Sequence, residues 1–269
     1  MDIIHSIIFG IVQGLTEFLP ISSSGHLVIL HNLLGFNLID NLAFDVSLHL
    51  GTLMALLIFF WQDMKRFSLA FFRSFKNWNL KEDINQRLAW FIVLGCIPAF
   101  IVGFLMEEKI MIFRTVASVA IMLIGVGILL LIFEKLSKKI NDLSKLDWLD
   151  VLIIGLAQSF AIFPGVSRSG ITIIAGLGQK LKREEAARFS FLLSIPVIAG
   201  AGIKKIYDLI VEGIVLDEVF LYVLGFFSAL AAGYFCIKYF LKFLQSHSLN
   251  IFAFYRIVLG VVIILYFII

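Results

Sequence analysis

The stretch PISSSGHL, residues 20–27, interrupts an apolar segment that runs over residues 3–35. Proline ends a helix because it has no N–H to donate and its ring clashes with the preceding turn, and serines satisfy the free N–H groups that start the next helix. Each half of the segment has about 15 residues, whereas a helix needs about 20 apolar residues to cross a membrane. The pattern therefore predicts a re-entrant hairpin, whose irregular backbone must be buried in protein or line a cavity.

A second apolar region, residues 148–180, is broken in the same way at FPGVSRSGITI, residues 163–173. The two breaks match at a constant spacing of 145 residues, which pairs Ser22 with Ser167. Further matches, at that spacing and at a spacing of 130 residues, are Gly10 with Gly155, Gln13 with Gln158, Ser24 with Ser169, Gly25 with Gly170, and Leu94-Gly95 with Leu224-Gly225. The chain therefore contains an internal repeat.

The composition is that of an integral membrane protein, with 61% hydrophobic and 15% charged residues against about 45–50% and 25% in soluble domains. The net charge is only +3, and the basic residues lie between apolar segments, so we expect no nucleic-acid partner. Cys96 and Cys236 lack the spacing of a disulfide or metal site. The N-terminal MDIIHSIIFG has no Lys or Arg, so we expect no signal-peptide cleavage.

Six segments are apolar and long enough to span a membrane: 42–60, 88–106, 115–133, 185–202, 219–241 and 251–269. The predicted fold class is an all-α polytopic membrane protein with six full transmembrane helices and two broken re-entrant hairpins. We expect a single membrane domain over residues 1–269, with repeat 1 at about 1–140 and repeat 2 at about 146–269. Three spans separate the hairpins, so the repeats should be inverted and the breaks should meet near mid-membrane.

The basic residues predict the orientation of these spans. Residues 62–87 hold six Lys and Arg and residues 134–147 hold four, so both should be cytoplasmic by the positive-inside rule. The loop 107–114 holds two basic residues offset by Glu107 and Glu108, which is compatible with the outside. The first hairpin is then expected to enter from the outside and the second from the cytoplasm.

Gln13 and Glu17 are four residues apart and therefore share one face of the first half-helix. An ionisable group inside an apolar segment is costly and usually functional, although a carboxylate at a helix end near the interface is the alternative. His31 and His49 have no comparable polar neighbours in the sequence, and we interpret them as interior or interface residues.

The serine run offers more than a helix cap. One serine, Ser22 or Ser24, suffices for capping, whereas free N–H groups and the helix dipole together form an anion site. Serine hydroxyls add hydrogen-bond donors or a nucleophile, and His26 adds a base or an acid. A helix that begins after Ser24 would set Ser23 just before its first turn.

In the second break Arg168 replaces a serine. Its planar guanidinium matches phosphate oxygens; the alternative is an ion pair with Glu17, and both can hold in turn. Thr172 faces the same site or the helix interior, and Tyr255 and Arg256 are interpreted as an interfacial anchor. The set indicates a phosphate-type anion on an amphiphilic substrate, with Glu17 as a base or as the ligand of a bridging divalent metal.

The segments QGLTEFLPISSSGH, residues 13–26, and PGVSRSGIT, residues 164–172, resemble the two signature motifs of the bacterial undecaprenyl-diphosphate phosphatases, the bacitracin-resistance family. The resemblance covers essentially the whole chain. It implies hydrolysis of undecaprenyl diphosphate to the monophosphate, which recycles the lipid carrier for peptidoglycan synthesis. It also implies Mg²⁺ or Ca²⁺ as a cofactor, a multi-pass protein of the bacterial plasma membrane, and an active site that faces the periplasm.

Carried over by motif position, Ser22, Ser23 and His26 fall on the serine and histidine positions of the first motif. Our hypothesis makes Ser23 the nucleophile and His26 its base or the nucleophile itself. Glu17 would bind the metal or assist proton transfer, and Arg168 would neutralise the transferred phosphoryl group. The implied substrate-binding residues are Gln13, Ser22, Ser24, Ser167, Ser169 and Thr172. The expected partners are membrane lipid and the isoprenoid lipid diphosphate, and a homodimer is an open alternative.

Two other classes share parts of this pattern. A secondary transporter or lipid flippase would also have inverted repeats with broken helices, but binding alone does not require a serine, a histidine and a glutamate together. Type-2 phosphatidic-acid phosphatases share Ser-Gly-His and Ser-Arg fragments, but they need a second histidine six residues after the arginine, where this chain has Ile174.

Overall fold

The computed structural model describes residues 2–35, 38, 41–113, 115–212 and 218–267, which form α-helices and short 3₁₀ turns without a β-strand. The helices are α1 (Asp2–Phe18), α2 (Ser23–Leu34), α3 (Asn41–Phe59), α4 (Trp61–Ser74), α5 (Ile84–Ile110), α6 (Val116–Leu136), α7 (Trp148–Ser159), α8 (Arg168–Gly178), α9 (Arg183–Glu212), α10 (Val219–Leu244) and α11 (Asn250–Phe267).

Six of these helices, α3, α5, α6, α9, α10 and α11, are long and apolar enough to cross a membrane. They coincide with the six predicted spans, so the prediction of an all-α polytopic membrane protein is confirmed. The candidate span in α9 covers Arg183–Asp208, beyond the predicted 185–202, because the helix continues past its apolar segment at both ends.

The two broken helices, α1–α2 and α7–α8, share the same local geometry. Ser22 and Ser167 have φ values of 76° and 71°, in a region that residues with a side chain rarely adopt. The hydroxyl of Ser22 accepts the N–H of Gly25 at 3.3 Å, and that of Ser167 accepts the N–H of Gly170 at 3.0 Å. Because Ser22 is the cap, α2 begins at Ser23 and not after Ser24 as predicted.

The contacts of α1 show that the first hairpin returns to the side from which it entered. The ring of Phe9, in the middle of α1, lies 4.6 Å from the ring of His31 near the end of α2. Helix α3 then runs alongside α1 in the same direction, since Phe9 contacts Phe44 and Gln13, further along, reaches His49.

The second repeat has the opposite orientation. Helices α3 and α9, which occupy equivalent places in the two repeats, run antiparallel: Arg188 lies over the ring of Phe60, and a Cβ on Gly202 would meet Leu50. The connection between α8 and α9 therefore lies at the opposite end of the bundle from the connection between α2 and α3. The hairpins enter from opposite sides, as the odd number of spans predicts.

Glycines let each broken helix pack against a helix of the other repeat. A Cβ on Gly10 of α1 would lie 2.5 Å from the carbonyl oxygen of Gly225 in α10. A Cβ on Gly155 of α7 would lie 2.6 Å from the carbonyl oxygen of Gly95 in α5. The two contacts use matching positions of the repeats, and both require direct backbone approach. This reciprocal packing brings the two breaks together.

The two basic segments of the sequence lie on the same side of the bundle. Arg87, in the first, donates to the carbonyl of Ser144, in the second, at 2.7 Å. This placement agrees with the expectation that 62–87 and 134–147 share one side of the membrane. In the loop 107–114, the side chains of residues 107–109 and 111 and the whole of residue 114 lie outside the described residues.

Candidate active site

The two breaks meet inside the bundle, where the end of α1 approaches the start of α8. The hydroxyl of Ser169 donates to the carbonyl of Leu19 at 3.0 Å. Next to this contact, Arg168 Nη2 lies 2.6 Å from Glu17 Oε1. Residues 151 positions apart are thus joined at one place, as the inverted-repeat argument requires.

Glu17 is the centre of the cluster, with 6% of its surface exposed. One oxygen, Oε1, accepts from Arg168. The other, Oε2, accepts from the hydroxyl of Ser23 at 2.6 Å. A hydrogen bond to an ionised acceptor is stronger than one between neutral groups, so the carboxylate holds the serine and the arginine in fixed positions.

Gln13 and His49 complete the surroundings of the carboxylate. The Gln13 amide N–H₂ donates to Glu17 Oε2 and to His49 Nδ1, each at 2.9 Å. This arrangement makes His49 Nδ1 an acceptor, and a neutral ring then carries its proton on Nε2. His49 Nδ1 lies 3.3 Å from Glu17 Oε2. The amide therefore links a histidine to the carboxylate and fixes the orientation of both.

Two buried polar atoms at this centre have no hydrogen-bond partner among the described residues: Arg168 Nη1 and Gln13 Oε1. An unpaired buried donor or acceptor costs about 1–3 kcal/mol, and more when the group is charged. One atom is a cationic donor and the other a neutral acceptor. Together they suit a ligand that carries both an anionic oxygen and a cation.

His26 lies in the first turn of α2, beside the cluster. Its Nδ1 is 2.7 Å from the carbonyl oxygen of Ser22, and a carbonyl only accepts, so Nδ1 carries a proton. In a neutral ring Nε2 then accepts from the hydroxyl of Tyr255, which lies 2.7 Å away. The two rings are stacked, with centroids 5.7 Å apart. The backbone carbonyl thus sets the tautomer that leaves Nε2 available for chemistry.

The remaining predicted residues lie at the starts of the two half-helices α2 and α8. The hydroxyl oxygens of Ser22 and Ser24 are 3.4 Å apart, and those of Ser167 and Ser169 are 3.1 Å apart. The Thr172 hydroxyl donates to the carbonyl of Arg168 at 2.7 Å. It also lies 2.6 Å from the hydroxyl oxygen of Ser190 in α9. The structure thus brings Gln13, Glu17, Ser23 and Arg168 together, with His26 beside them, while Thr172 contacts α9. The catalytic and substrate-binding roles of all these residues stay predictions.

Two helix N-termini, those of α2 and α8, open at the junction of the breaks. The first N–H groups of a helix have no acceptor within the helix, and its dipole is positive at this end. Ser22 and Ser167 each satisfy one of these groups. The others, with the free Arg168 Nη1, form surroundings suited to phosphate oxygens.

Three residues at the site escaped the sequence interpretation. His49, interpreted as an interior or interface residue, contacts Glu17, and this contact depends on the packing of α3 against α1. The interpretation of Arg256 as an interfacial anchor was wrong, because none of its surface is exposed. Tyr255 reaches His26 across 229 positions. In the sequence, only the Tyr-Arg pair near the start of an otherwise apolar span could have indicated that Tyr255 and Arg256 belong to the site.

Two oxygen groups fit a hard divalent cation: the carboxylate of Glu17 and the unpartnered Oε1 of Gln13. Mg²⁺ and Ca²⁺ bind carboxylate and amide oxygens, with water and phosphate as further ligands. The part of the chain that the structure describes contains no group of three His, Cys, Asp or Glu side chains suited to a metal. A cation held here would therefore depend on phosphate or water for its remaining ligands.

The fold and the site define an all-α membrane protein of the inverted-repeat, broken-helix class, with a polar centre that contains an arginine and a carboxylate. A family model described as "Bacitracin resistance protein BacA" matches residues 6–262. The chain belongs to this family.

Curated relatives match along their full length. A protein named "Undecaprenyl-diphosphatase" from Rubrobacter xylanophilus is 41% identical over 97% of this chain and 96% of its own. Proteins of the same name from Halothermothrix orenii and Methanobrevibacter smithii are each 43% identical over 98% of this chain, and over 98% and 97% of their own.

Proposed function

We propose that this protein is a membrane phosphatase that hydrolyses undecaprenyl diphosphate to undecaprenyl phosphate and inorganic phosphate. Its family and the name shared by its full-length relatives support the activity and favour it over transport. This reaction recycles the lipid carrier for peptidoglycan synthesis and confers bacitracin resistance. The site adds the residues that would carry out the chemistry.

The observation that carries the proposal is the hydrogen bond of 2.6 Å from Ser23 Oγ to Glu17 Oε2. A nucleophile within hydrogen-bond reach of a base, itself oriented by a third group, is the arrangement of covalent catalysis. Arg168 is that third group, at the other carboxylate oxygen. The motif positions suggest His26 as the base of Ser23, whereas the geometry favours Glu17.

The proposed reaction has two steps. Ser23 Oγ attacks the terminal phosphorus and its proton passes to Glu17, while the bond from that phosphorus to the bridging oxygen breaks and undecaprenyl phosphate leaves. Water then attacks the phosphoserine, which releases inorganic phosphate and restores the serine hydroxyl. Arg168 donates to the transferred phosphoryl oxygens through Nη1, supported by the N–H groups of the two helix starts.

His26 serves as the second proton carrier or as an alternative nucleophile. Its Nδ1–H is bonded to the Ser22 carbonyl, so only Nε2 can exchange a proton or attack phosphorus. In this structure Nε2 is hydrogen-bonded to the Tyr255 hydroxyl, and the arriving substrate would replace that hydrogen bond. In the serine mechanism, Nε2 is protonated when the substrate arrives and supplies this proton to the departing lipid phosphate. It takes a proton back from the water that attacks the phosphoserine, while Glu17 returns its proton to the serine oxygen.

The proposed cofactor is a divalent cation, Mg²⁺ or Ca²⁺, held by Glu17 and by Oε1 of Gln13. When bound, it would offset the negative charge of the diphosphate. The orientation of the residues does not depend on the cation: Gln13 orients Glu17, and Glu17 orients Ser23.

We place the protein in the bacterial plasma membrane with its active site towards the exterior. The positive-inside rule makes the side with Arg87 and Ser144 cytoplasmic, so the hairpin that carries Glu17 and Ser23 enters from the outside. The isoprenoid chain would remain among the apolar helices.

Phosphate release tests the function directly. Purified protein is incubated with undecaprenyl diphosphate and Mg²⁺ or Ca²⁺, and inorganic phosphate is measured. Release at a rate that rises with enzyme concentration is expected. Tight binding of the lipid with no phosphate released would favour the transporter instead.

The nucleophile is tested by comparing Ser23→Ala with His26→Ala in the same assay, with acid-quenched protein examined for phosphoserine by mass spectrometry. The proposal expects Ser23→Ala to abolish turnover and a phosphorylated peptide to contain Ser23. Near-normal turnover of Ser23→Ala together with an inactive His26→Ala would assign the nucleophile to His26.

A further inference from the structure

Arg256 of α11 is the largest fully buried side chain of the described residues, with 0% of its surface exposed. Its guanidinium donates to the carbonyl of Pro20, in the first break, at 3.0 Å. It also donates to the carbonyls of Gly165 and Val166, in the second break, at 2.8 and 3.0 Å. Longer bonds of 3.3 Å reach Met122 and Leu123 in α6. One side chain therefore joins both breaks to a transmembrane helix.

No carboxylate lies within ion-pair distance of Arg256 in the ranges that the structure describes. A buried charge without an ionic partner is expensive, so its carbonyl contacts must compensate much of that cost. Arginine suits this role because its planar fork presents five donors in fixed directions. A lysine has three donors on one atom and cannot span acceptors on separate segments in the same way.

The carbonyls that Arg256 holds lie next to strained positions. Pro20 is two residues before Ser22, and Val166 is directly before Ser167; both serines have positive φ. Such conformations cost about 1–3 kcal/mol each and persist only where surrounding contacts hold them. The serine hydroxyls provide one such contact from within each break, and Arg256 provides another that the two breaks share.

Glycines from both repeats lie close to the Arg256 side chain and to the break that it contacts. A Cβ on Gly170 would lie 3.3 Å from Arg256 Nη1, and a Cβ on Gly127 would lie 3.3 Å from the Arg256 Cβ. Gly165, with φ 94°, has no room for a side chain either, since a Cβ would lie 2.8 Å from the Val119 carbonyl oxygen. The site around Arg256 is therefore formed by the two repeats together.

We infer that Arg256 is a positioning residue that holds the two breaks in the register that brings Ser23 and Arg168 to the two oxygens of Glu17. The adjacent Tyr255 binds His26, so the same turn of α11 also orients the imidazole. Arg256 acts through the backbone carbonyls and touches neither the substrate nor the reacting atoms. The inference rests on the proposed phosphatase function for its kinetic consequence, but not for its structural one.

The test compares Arg256→Lys, which keeps the charge but cannot reach both breaks, with Arg87→Gln as the control. Arg87 also joins two distant segments through a carbonyl, that of Ser144, but this contact lies at the end of the bundle away from the site. Turnover of undecaprenyl diphosphate, thermal unfolding in detergent, and amide hydrogen exchange by mass spectrometry are measured for each. Exchange reports on the breaks whether or not the lipid is hydrolysed.

For Arg256→Lys we expect kcat to fall by about 100-fold, since displacement of reacting groups by about 1 Å has an effect of this size, with KM changed less than about threefold. Exchange should rise in residues 19–25 and 163–169 together, with the transmembrane helices unchanged. Arg87→Gln should resemble the wild type in all three measurements.

Normal kcat in folded Arg256→Lys, or faster exchange in only one break, would overturn the inference. So would general unfolding of this conservative variant, because it would show a global structural role. If the wild type releases no phosphate while both breaks loosen in Arg256→Lys, the proposed function fails and the positioning role of Arg256 stands.

Discussion

Replacement of Glu17 by Gln removes the proposed base while keeping nearly the same shape. The amide oxygen can still accept from Ser23 or from Arg168, but it cannot take the serine proton. General-base catalysis contributes about 10²–10⁴-fold, which at 1.36 kcal/mol per tenfold corresponds to about 3–5 kcal/mol of transition-state stabilisation. We therefore expect kcat to fall by 10²–10⁴-fold.

With Mg²⁺ or Ca²⁺ at a saturating concentration, the same replacement should not weaken substrate binding, because an amide oxygen can also ligate the cation. Arg168 lies 2.6 Å from Glu17, and a neutral amide holds its terminal nitrogens less strongly than the carboxylate does, so they are more available to the diphosphate. KM should remain the same or decrease, because the phosphate takes over as the partner of the buried arginine. A decrease in kcat without an increase in KM separates loss of a base from loss of a binding group.

Glu134→Gln is the matched control for stability. Glu134 is also a buried glutamate, 5% exposed. It lies away from the site and pairs with Arg183, with 2.5 Å between Glu134 Oε1 and Arg183 Nη2. Breaking a buried ion pair costs about 3–5 kcal/mol, so both variants should have lower unfolding temperatures in detergent. Only Glu17→Gln should lose turnover of the folded protein. If Glu17→Gln retained turnover within tenfold of the wild type, Glu17 would not be the base.

Three further predictions concern the cofactor, the packing and the orientation. Removal of divalent cations by EDTA should stop phosphate release, and added Mg²⁺ or Ca²⁺ should restore it; undiminished release from chelated protein would exclude the cation requirement. Gly155→Ala should destabilise the protein by about 1–3 kcal/mol in detergent unfolding, because its Cβ would lie 2.6 Å from the Gly95 carbonyl oxygen, whereas Gly125→Ala, with no atom within 4 Å of its Cβ, should not; equal stabilities would contradict the close helix contact. Single cysteines in 107–114 should react with an impermeant maleimide from outside intact cells and those in 134–147 should not, and the reverse pattern would invert the orientation.

The spans and the breaks were predictable because they depend on local properties of the sequence. A helix that crosses a membrane must be apolar over its whole length, and a break must carry residues that stop one helix and cap the next. The prediction that Glu17 and Arg168 meet needed one more step, the internal repeat with an odd number of spans. That step succeeded because inversion leaves the middle of the membrane as the place where both breaks can meet.

The exact cap was less predictable. Three consecutive serines offer three candidates, and the choice depends on which φ the chain adopts between Pro20 and α2. The structure selects Ser22, with φ 76°, which moves Ser23 into the first turn and directs its hydroxyl to Glu17. A shift of one residue in a helix rotates a side chain by about 100°, so the partner of Ser23 depended on that selection.

The sequence by itself determined the membrane class, the six spans, the two breaks and the polar residues at each, because these follow from hydropathy, from helix-ending residues and from repetition. Only the tertiary structure decided the partners: Glu17 with Ser23, Gln13 with His49, His26 with Tyr255, and Arg256 with both breaks. These contacts depend on helix rotation and on packing at glycines between distant segments. Residue type and spacing along one chain do not specify such angles and distances, so they emerge only when the two repeats pack together.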